Sequence, residues 1–315
     1  MKLMTSLPPK VPLYRGSKLQ VHNPSLDYFI NRIKSKQYFS MIRFQIEYWR
    51  QLRIALQYLG HKGWHYPPAL KKDQEFYDKI GPAMLDAWVK EQSYGRPWLF
   101  TEKIFADHVK FITKPKPNDF FLAASDRAWY FDDWPPPPHD AWSRWADTVI
   151  QGMLPPGETP WNSLVWRRWG HSGKIQRFFA ELKDKTFCFV APYYYKNFGE
   201  KLQLSNFHFI EIDYLQASLH LEKTYNQIID KHKELRKNNE DIIYIVVGGA
   251  PGSWLVINLH GKLDNAFMIE IGRGLDPYYV YDSFIEEKGI NMQFWGNWLK
   301  RFPPTWVKNH PELIR

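Results

Sequence analysis

Four apolar runs in the second half of the chain, Thr186–Ala191, Phe207–Ile212, Ile242–Val247 and Ala266–Ile271, limit the fold more than any other feature. Each is almost continuous in apolar residues. A strand with one wet face would alternate, so these runs read as strands covered on both faces. Between them lie helical patterns at about 217–238 and 253–262, with a leading helix near 173–183. Strands that alternate with helices form a parallel sheet joined by helical crossovers. The expectation is a Rossmann-like α/β core in the C-terminal half, preceded by a mainly helical, aromatic-rich N-terminal part. Ligands of such sheets sit outside the carboxyl ends of the strands.

The rest of the chain divides by composition. Residues 1–25 are rich in Pro, Lys and Ser and read as an extended arm. Residues 26–150 carry a helical pattern through Tyr28, Ile30 and Ile33 and onward through Ile42, Ile46, Trp49, Leu52 and Leu56. A Gly- and Pro-punctuated loop follows over 60–68, then an amphipathic stretch through Phe76, Ile80, Met84 and Trp88. Residues 113–142 read as irregular, with four consecutive prolines at 135–138 that favour a stiff extended segment. The core then spans 151–290, and 291–315 is a tail packing on it. With 44% hydrophobic residues, a disordered chain is excluded. The single cysteine, Cys188, forms no intramolecular disulfide or cysteine-rich zinc site, and its apolar neighbours predict a buried, inert thiol. Neither a signal-peptide pattern nor a spanning apolar run is present, which favours a cytoplasmic location.

The strongest local signal follows the third strand run: Gly248-Gly249-Ala250-Pro251-Gly252-Ser253-Trp254, a strand-to-helix turn. Glycines let backbone approach a ligand, and a helix N-terminus offers free N–H groups to an anion such as a phosphate. The spacing is not G-x-G-x-x-G, so a dinucleotide fingerprint is not met. A tight turn with no ligand is the plain alternative. One strand later stands Glu270-Ile-Gly272-Arg273-Gly274-Leu-Asp276. Glu270 at a strand end would reach a ribose hydroxyl or a metal, with Asp276 as a second ligand; an Asp opening a turn before Pro is equally common.

Other constellations are weaker. His61 and His65 are four apart, but Gly63 and the following prolines oppose a helix that would align them on a metal. Glu211 and Asp213 end a strand, and Asp132-Asp133 adjoins the prolines as a solvated turn. No G-x-S-x-G elbow or P-loop occurs. Net charge is +9 and aromatics reach 17%, which admits a polyanionic partner. Arg167 and Arg168 between Trp166 and Trp169 would suit a nucleic-acid backbone, or else form a solvated helix face.

Several of these stretches, taken in order, resemble the GT-D-type glycosyltransferases. Gly249-Ala-Pro-Gly-Ser-Trp through Glu270-Ile-Gly-Arg-Gly-Leu-Asp276 is similar to that family's Gly-Pro turn, apolar helix and strand ending in Asp-x-Gly with a further Asp. Glu270 stands at the first acid and Asp276 at the second. Phe187 to Tyr195, Trp161-Asn162 and Gly173-Lys174 fall at further matching places, as does Tyr38-Phe-Ser-Met-Ile-Arg43-Phe44 near the start. The resemblance implies sugar transfer from a nucleotide-sugar donor, a UDP-sugar by preference, to an acceptor hydroxyl. It implies that Gly248–Ser253, Gly272 and Arg273 meet the donor, that Arg43 offsets diphosphate charge, and that Asp276 and Glu270 hold Mg2+ or Mn2+. Asp276, Glu47 and Asp126 are the catalytic candidates, the last two as the base; Trp64, His65, Tyr66, Arg167 and Arg168 are those for the acceptor, a glycan or a hydroxymethylated base in DNA. The chain departs from the family where Gln45-Ile46-Glu47 follows Phe44 and where Tyr278 replaces an acid, which motivates an inactive GT-D-like binding or structural protein as an alternative. A SAM-dependent nucleic-acid methyltransferase is another, opposed by the short stretch of chain after Ser253.

Overall fold

The structure, a computed structural model, describes residues 6–44, 102–124, 150–213, 217–238 and 241–275. Among the described residues nine strands form one sheet: β1 (Lys10–Pro12), β2 (Gln20–His22), β3 (Ser40–Phe44), β4 (Phe120–Ala124), β5 (Trp161–Asn162), β6 (Thr186–Ala191), β7 (Asn206–Glu211), β8 (Ile242–Val246) and β9 (Ala266–Glu270). Their spatial order is β1-β2-β5-β4-β3-β9-β8-β6-β7. All neighbours are parallel except β1 against β2. The Rossmann-like α/β class expected from the strand–helix alternation is the class observed.

Seven α-helices accompany these strands among the described residues, besides a helical stretch at 150–153: α1 (Leu26–Lys34), α2 (Glu102–Ile112), α3 (Val165–His171), α4 (Ile175–Glu181), α5 (Phe198–Lys201), α6 (Leu221–Arg236) and α7 (Gly249–Leu259). Helix α1 shows how local chemistry sets an element. The Ser25 hydroxyl accepts the Tyr28 N–H at 3.2 Å and starts it. Asp27 lies in its first turn and Arg32 and Lys34 in its last, matching the helix dipole. Leu26, Phe29, Ile30 and Ile33 form its buried stripe.

The helices lie on two faces. Residues of α2, α6 and α7 share a core with Ile42, Phe44, Leu122, Val190, Val246 and Met268. Residues of α1, α3 and α4 share the other with Met41, Phe121, Phe189, Ile245 and Ile269. The sorting follows the direction of each crossover. Connections that step toward β1, such as β3 to β4 and β8 to β9, carry helices on the first face. Those that step toward β7, such as β2 to β3 and β5 to β6, carry them on the second. One handedness for every crossover requires this division.

Two stretches correct the reading of the first half. Residues 40–44, assigned to a continuing helical pattern, form β3, and 120–124, assigned to an irregular stretch, form β4. All ten residues are buried, because both strands sit inside the sheet with helices above and below. The aromatic surplus is also explained in part. Phe29, Phe39, Phe121, Trp161 and Trp166 pack in one cluster, with Phe121 stacked on Trp161 at a centroid distance of 4.0 Å. Full burial of each such ring contributes about 2–3 kcal/mol of transfer free energy.

His108 of α2 lies fully buried beside the Phe44 ring, and burial lowers its pKa to about 3. The folded ring is therefore neutral, whereas the unfolded chain takes a proton below about pH 6.5. Its contribution is complete above that pH and is lost as pH falls toward the folded value, at up to about 1.4 kcal/mol per unit. In urea melts, wild-type stability should fall relative to His108→Phe by about 2 kcal/mol between pH 6.5 and 5. Parallel curves for the two proteins would refute this.

Candidate functional site

The sheet's carboxyl edge brings together the ends of β3, β9 and β8. Val246 pairs with Glu270, and Ile271 N–H continues the ladder to the Val246 carbonyl at 3.1 Å. Beyond β8 the chain turns through Gly248 into α7, whose first bond runs from Gly252 N–H to the Gly248 carbonyl at 3.2 Å. The packing here is close. A Cβ on Gly248 would lie 2.7 Å from the Ile212 side chain, and one on Gly252 would lie 3.0 Å from Val246 Cγ1 and 3.9 Å from Glu270 Cγ. These two glycines therefore have a packing reason in addition to any ligand. Helix α7 is buried nearly all round, and its Trp254 indole N–H donates to Asp107 of α2 at 2.7 Å.

Beside this turn lies a buried ion pair. Strand β3 pairs with β9 through Ser40–Met268 and Met41–Ile269. Where that register ends, the Glu270 carboxylate takes over. It accepts the Arg43 backbone N–H at 2.9 Å, lies near the Gly272 backbone N–H, and stands 3.6 Å from the Arg43 Nε. Arg43 Nη1 donates to the Ser163 carbonyl at 3.1 Å. The side chains are 5% and 2% exposed. Burial, opposed by the guanidinium and the backbone donors, raises the Glu270 carboxyl to about 7.

The short 3-10 turn Gly272–Leu275 closes over the pair. Gly272 has φ +50, and a Cβ there would fall 1.7 Å from Arg43 Nη2, so both the backbone angle and the space require glycine. The turn is held from the other side by α3. A Cβ on Gly170 would lie 1.6 Å from the Gly274 carbonyl oxygen. Two hydroxyls of this region, Ser163 Oγ and Ser253 Oγ, are buried and have no hydrogen-bond partner among the described residues.

No family model matches the chain, and no curated protein does. Solved structures do. One, described as a selenomethionine-substituted structure of domain of unknown function 1792, shares 12% identity at a TM-score of 0.50 and covers 86% of this chain and 90% of its own. A second, described as showing that this domain has a distinct glycosyltransferase fold, has the same identity and coverages and a TM-score of 0.48. A third, described as a new glycosyltransferase from Streptococcus sanguinis, has 12% identity, covers 86% and 88%, and has a TM-score of 0.46. The likeness is one of fold. It rests on the first of these structures, and the chemistry of the site has to be argued from this chain's own residues.

Of the residues singled out in the sequence, the structure brings together Arg43, Gly248–Ser253, Glu270 and the backbone of Gly272 and Arg273. Asp276, Glu47, Asp126, Trp64, His65 and Tyr66 lie outside the described residues. Arg167 is buried at 4% exposure and Arg168 is half-buried, both on α3. Asp213 stands 3.8 Å from His220, and Glu211 is exposed at the end of β7. The Cys188 thiol is buried, and burial raises its pKa to about 12, as its apolar run predicts. Among the described residues, no three His, Cys, Asp or Glu side chains converge as a metal site, and no helix is long and apolar enough to cross a membrane. A cleft of about 320 Å³ lined by His22, Lys116, Glu158 and Trp161 lies at the opposite end of β4 and β5.

Sequence reasoning missed Ser163, Gly170 and Gly274. The glycine on each side of Arg273 was the available signal. Two glycines directly after a strand imply that something packs against bare backbone, although not that it is a guanidinium on one side and a helix on the other.

Proposed function

We propose that the chain is a glycosyltransferase that moves a sugar from a nucleotide-sugar donor, a UDP-sugar by preference, to an acceptor hydroxyl. The observation that carries this reading is that an 11-residue helix beginning at Gly249 and the buried Arg43 guanidinium share one carboxyl edge, with Glu270 between them. The order of short sequence matches to GT-D enzymes supports it. In sugar transfer the leaving group is a diphosphate whose charge grows in the transition state. Fixed donors and a guanidinium stabilise that charge without reorganising.

In this reading the N–H groups opening α7 hold the diphosphate, and Arg43 balances its charge. Asp276, next in sequence after the 272–275 turn, is the catalytic residue we assign to positioning the donor, with Glu47 or Asp126 taking the acceptor proton. Trp64, His65 and Tyr66 are the residues we assign to acceptor binding. A divalent cation does not fit at Glu270, whose carboxylate already accepts the Arg43 backbone N–H beside a guanidinium in a buried setting. No step is therefore routed through a metal there.

The acceptor we propose is a glycan hydroxyl. With Arg167 buried and Arg168 half-buried, the arginine–tryptophan stretch does not form the open basic stripe that a nucleic-acid backbone needs. Retention on a DNA column should accordingly be weak and nearly the same at low and high salt. A steep loss of strong retention with salt would favour DNA instead.

A panel of nucleotide sugars tests the reading. One donor should raise the melting temperature and release its nucleoside diphosphate when glycans are supplied. If every donor leaves both readouts unchanged, the protein is a non-catalytic relative of the fold. Stabilisation by S-adenosylmethionine alone would point to methyl transfer.

A further inference from the structure

We propose that Glu270 is the positioning residue for Arg43, not a ligand for a cation, so that the fixed positive charge of the site is the protein's own guanidinium. This rests on the donor-binding reading above and assigns the residue that prepares it. Three independent features support it.

The first is the use of the carboxylate. A divalent cation needs carboxylate lone pairs aimed at it from roughly 2.0–2.6 Å. Glu270 accepts the Arg43 backbone N–H at 2.9 Å and faces Arg43 Nε at 3.6 Å. The adjoining guanidinium would also repel a second cation. The second feature is what those bonds fasten. Strand β3 pairs with β9 only as far as Met41–Ile269, and the next backbone donor along this edge, Arg43 N–H, is held by the Glu270 side chain. The same carboxylate thus fixes both the backbone and the side chain of Arg43. The third is the far wall. Gly272 leaves the space that Nη2 fills, and Ser163 offers a carbonyl to Nη1. With its fork held on three sides, the guanidinium has one orientation at the carboxyl edge of the sheet.

The experiment uses the full chain, with MnCl2 alone and UDP alone as calorimetric titrants. Glu270→Gln should leave Mn2+ binding as in wild type and weaken UDP by about tenfold without metal, the loss typical when a supporting partner is removed. Arg43→Lys should weaken UDP similarly, and the double variant should be no worse than the worse single one. Gly272→Ala keeps Glu270 but displaces the guanidinium. It should reproduce the UDP loss with Mn2+ binding intact, and it stands in if Glu270→Gln does not fold. Loss of Mn2+ binding in Glu270→Gln, with Arg43→Lys unaffected, would overturn the proposal. If wild type binds no UDP or other nucleoside diphosphate, the functional reading fails on its own. The positioning role is then decided by a double-mutant cycle in urea: coupling between residues 43 and 270 supports it and additivity rejects it.

Discussion

Gly272→Ala should destabilise the protein by about 3 kcal/mol, against about 1 kcal/mol for Gly261→Ala. Both glycines have positive φ, +50 and +74, so both substitutions incur the strain of a left-handed backbone. They differ in what the new methyl meets. Around Gly261 there is nothing within 4 Å, whereas at Gly272 the methyl would overlap Arg43 Nη2. The end of an arginine can usually swing aside at little cost. Here it is held by the Ser163 carbonyl and by Glu270, and moving it would leave a buried carboxylate without its cation. Removing one member of such a pair is what makes buried ion pairs costly to break. Urea denaturation of the two variants checks this, and equal losses would show that the guanidinium is free to move.

Gly170→Ala should lower the melting temperature by roughly 5 °C, equivalent to about 3 kcal/mol. In a helix, alanine normally gains up to about 1 kcal/mol over glycine, so propensity alone predicts stabilisation. The overlap decides otherwise. The added methyl would fall 1.6 Å from the Gly274 carbonyl oxygen, and backbone cannot rotate away as a side chain can. Gly199→Ala provides the contrast. Its methyl would meet the half-buried Phe207 ring at 2.5 Å, and a ring near the sheet edge has room to turn. Gly170→Ala should therefore be clearly the more harmful of the two in thermal melts. The reverse order would mean that the 272–275 turn yields easily.

The four strands of the second half were legible because burial on both faces leaves a continuous apolar run, and β6 to β9 agree with those runs to within a residue. Ser40–Phe44 and Phe120–Ala124 are comparably apolar. They escaped notice because Ile42 also continues the spacing of Tyr28, Ile30 and Ile33 into a helical pattern, and Phe120–Ala124 sits among lysines and prolines. Only the neighbouring strands decide between the two states, and those neighbours are distant in sequence. The candidate site shows the same limit. Gly248–Ser253 was visible as a local pattern, and Glu270 was visible as an acid at a strand end. That Glu270 meets Arg43, 227 residues away, is a consequence of β9 entering beside β3. No spacing rule encodes that contact.

The place of β9 between β3 and β8 also bears on how the chain matures during synthesis. A ribosome releases the N-terminal strands first, yet β3 lacks its neighbour on one side until residues 266–270 emerge. Until then two hydrogen-bonding edges, one on each half, stand ready to join foreign strands. Among the described strands, β9 is the last made and is therefore the keystone of the sheet. Its arrival unites the two halves and in the same step delivers Glu270 to Arg43, so a nascent chain cannot assemble this ion pair early.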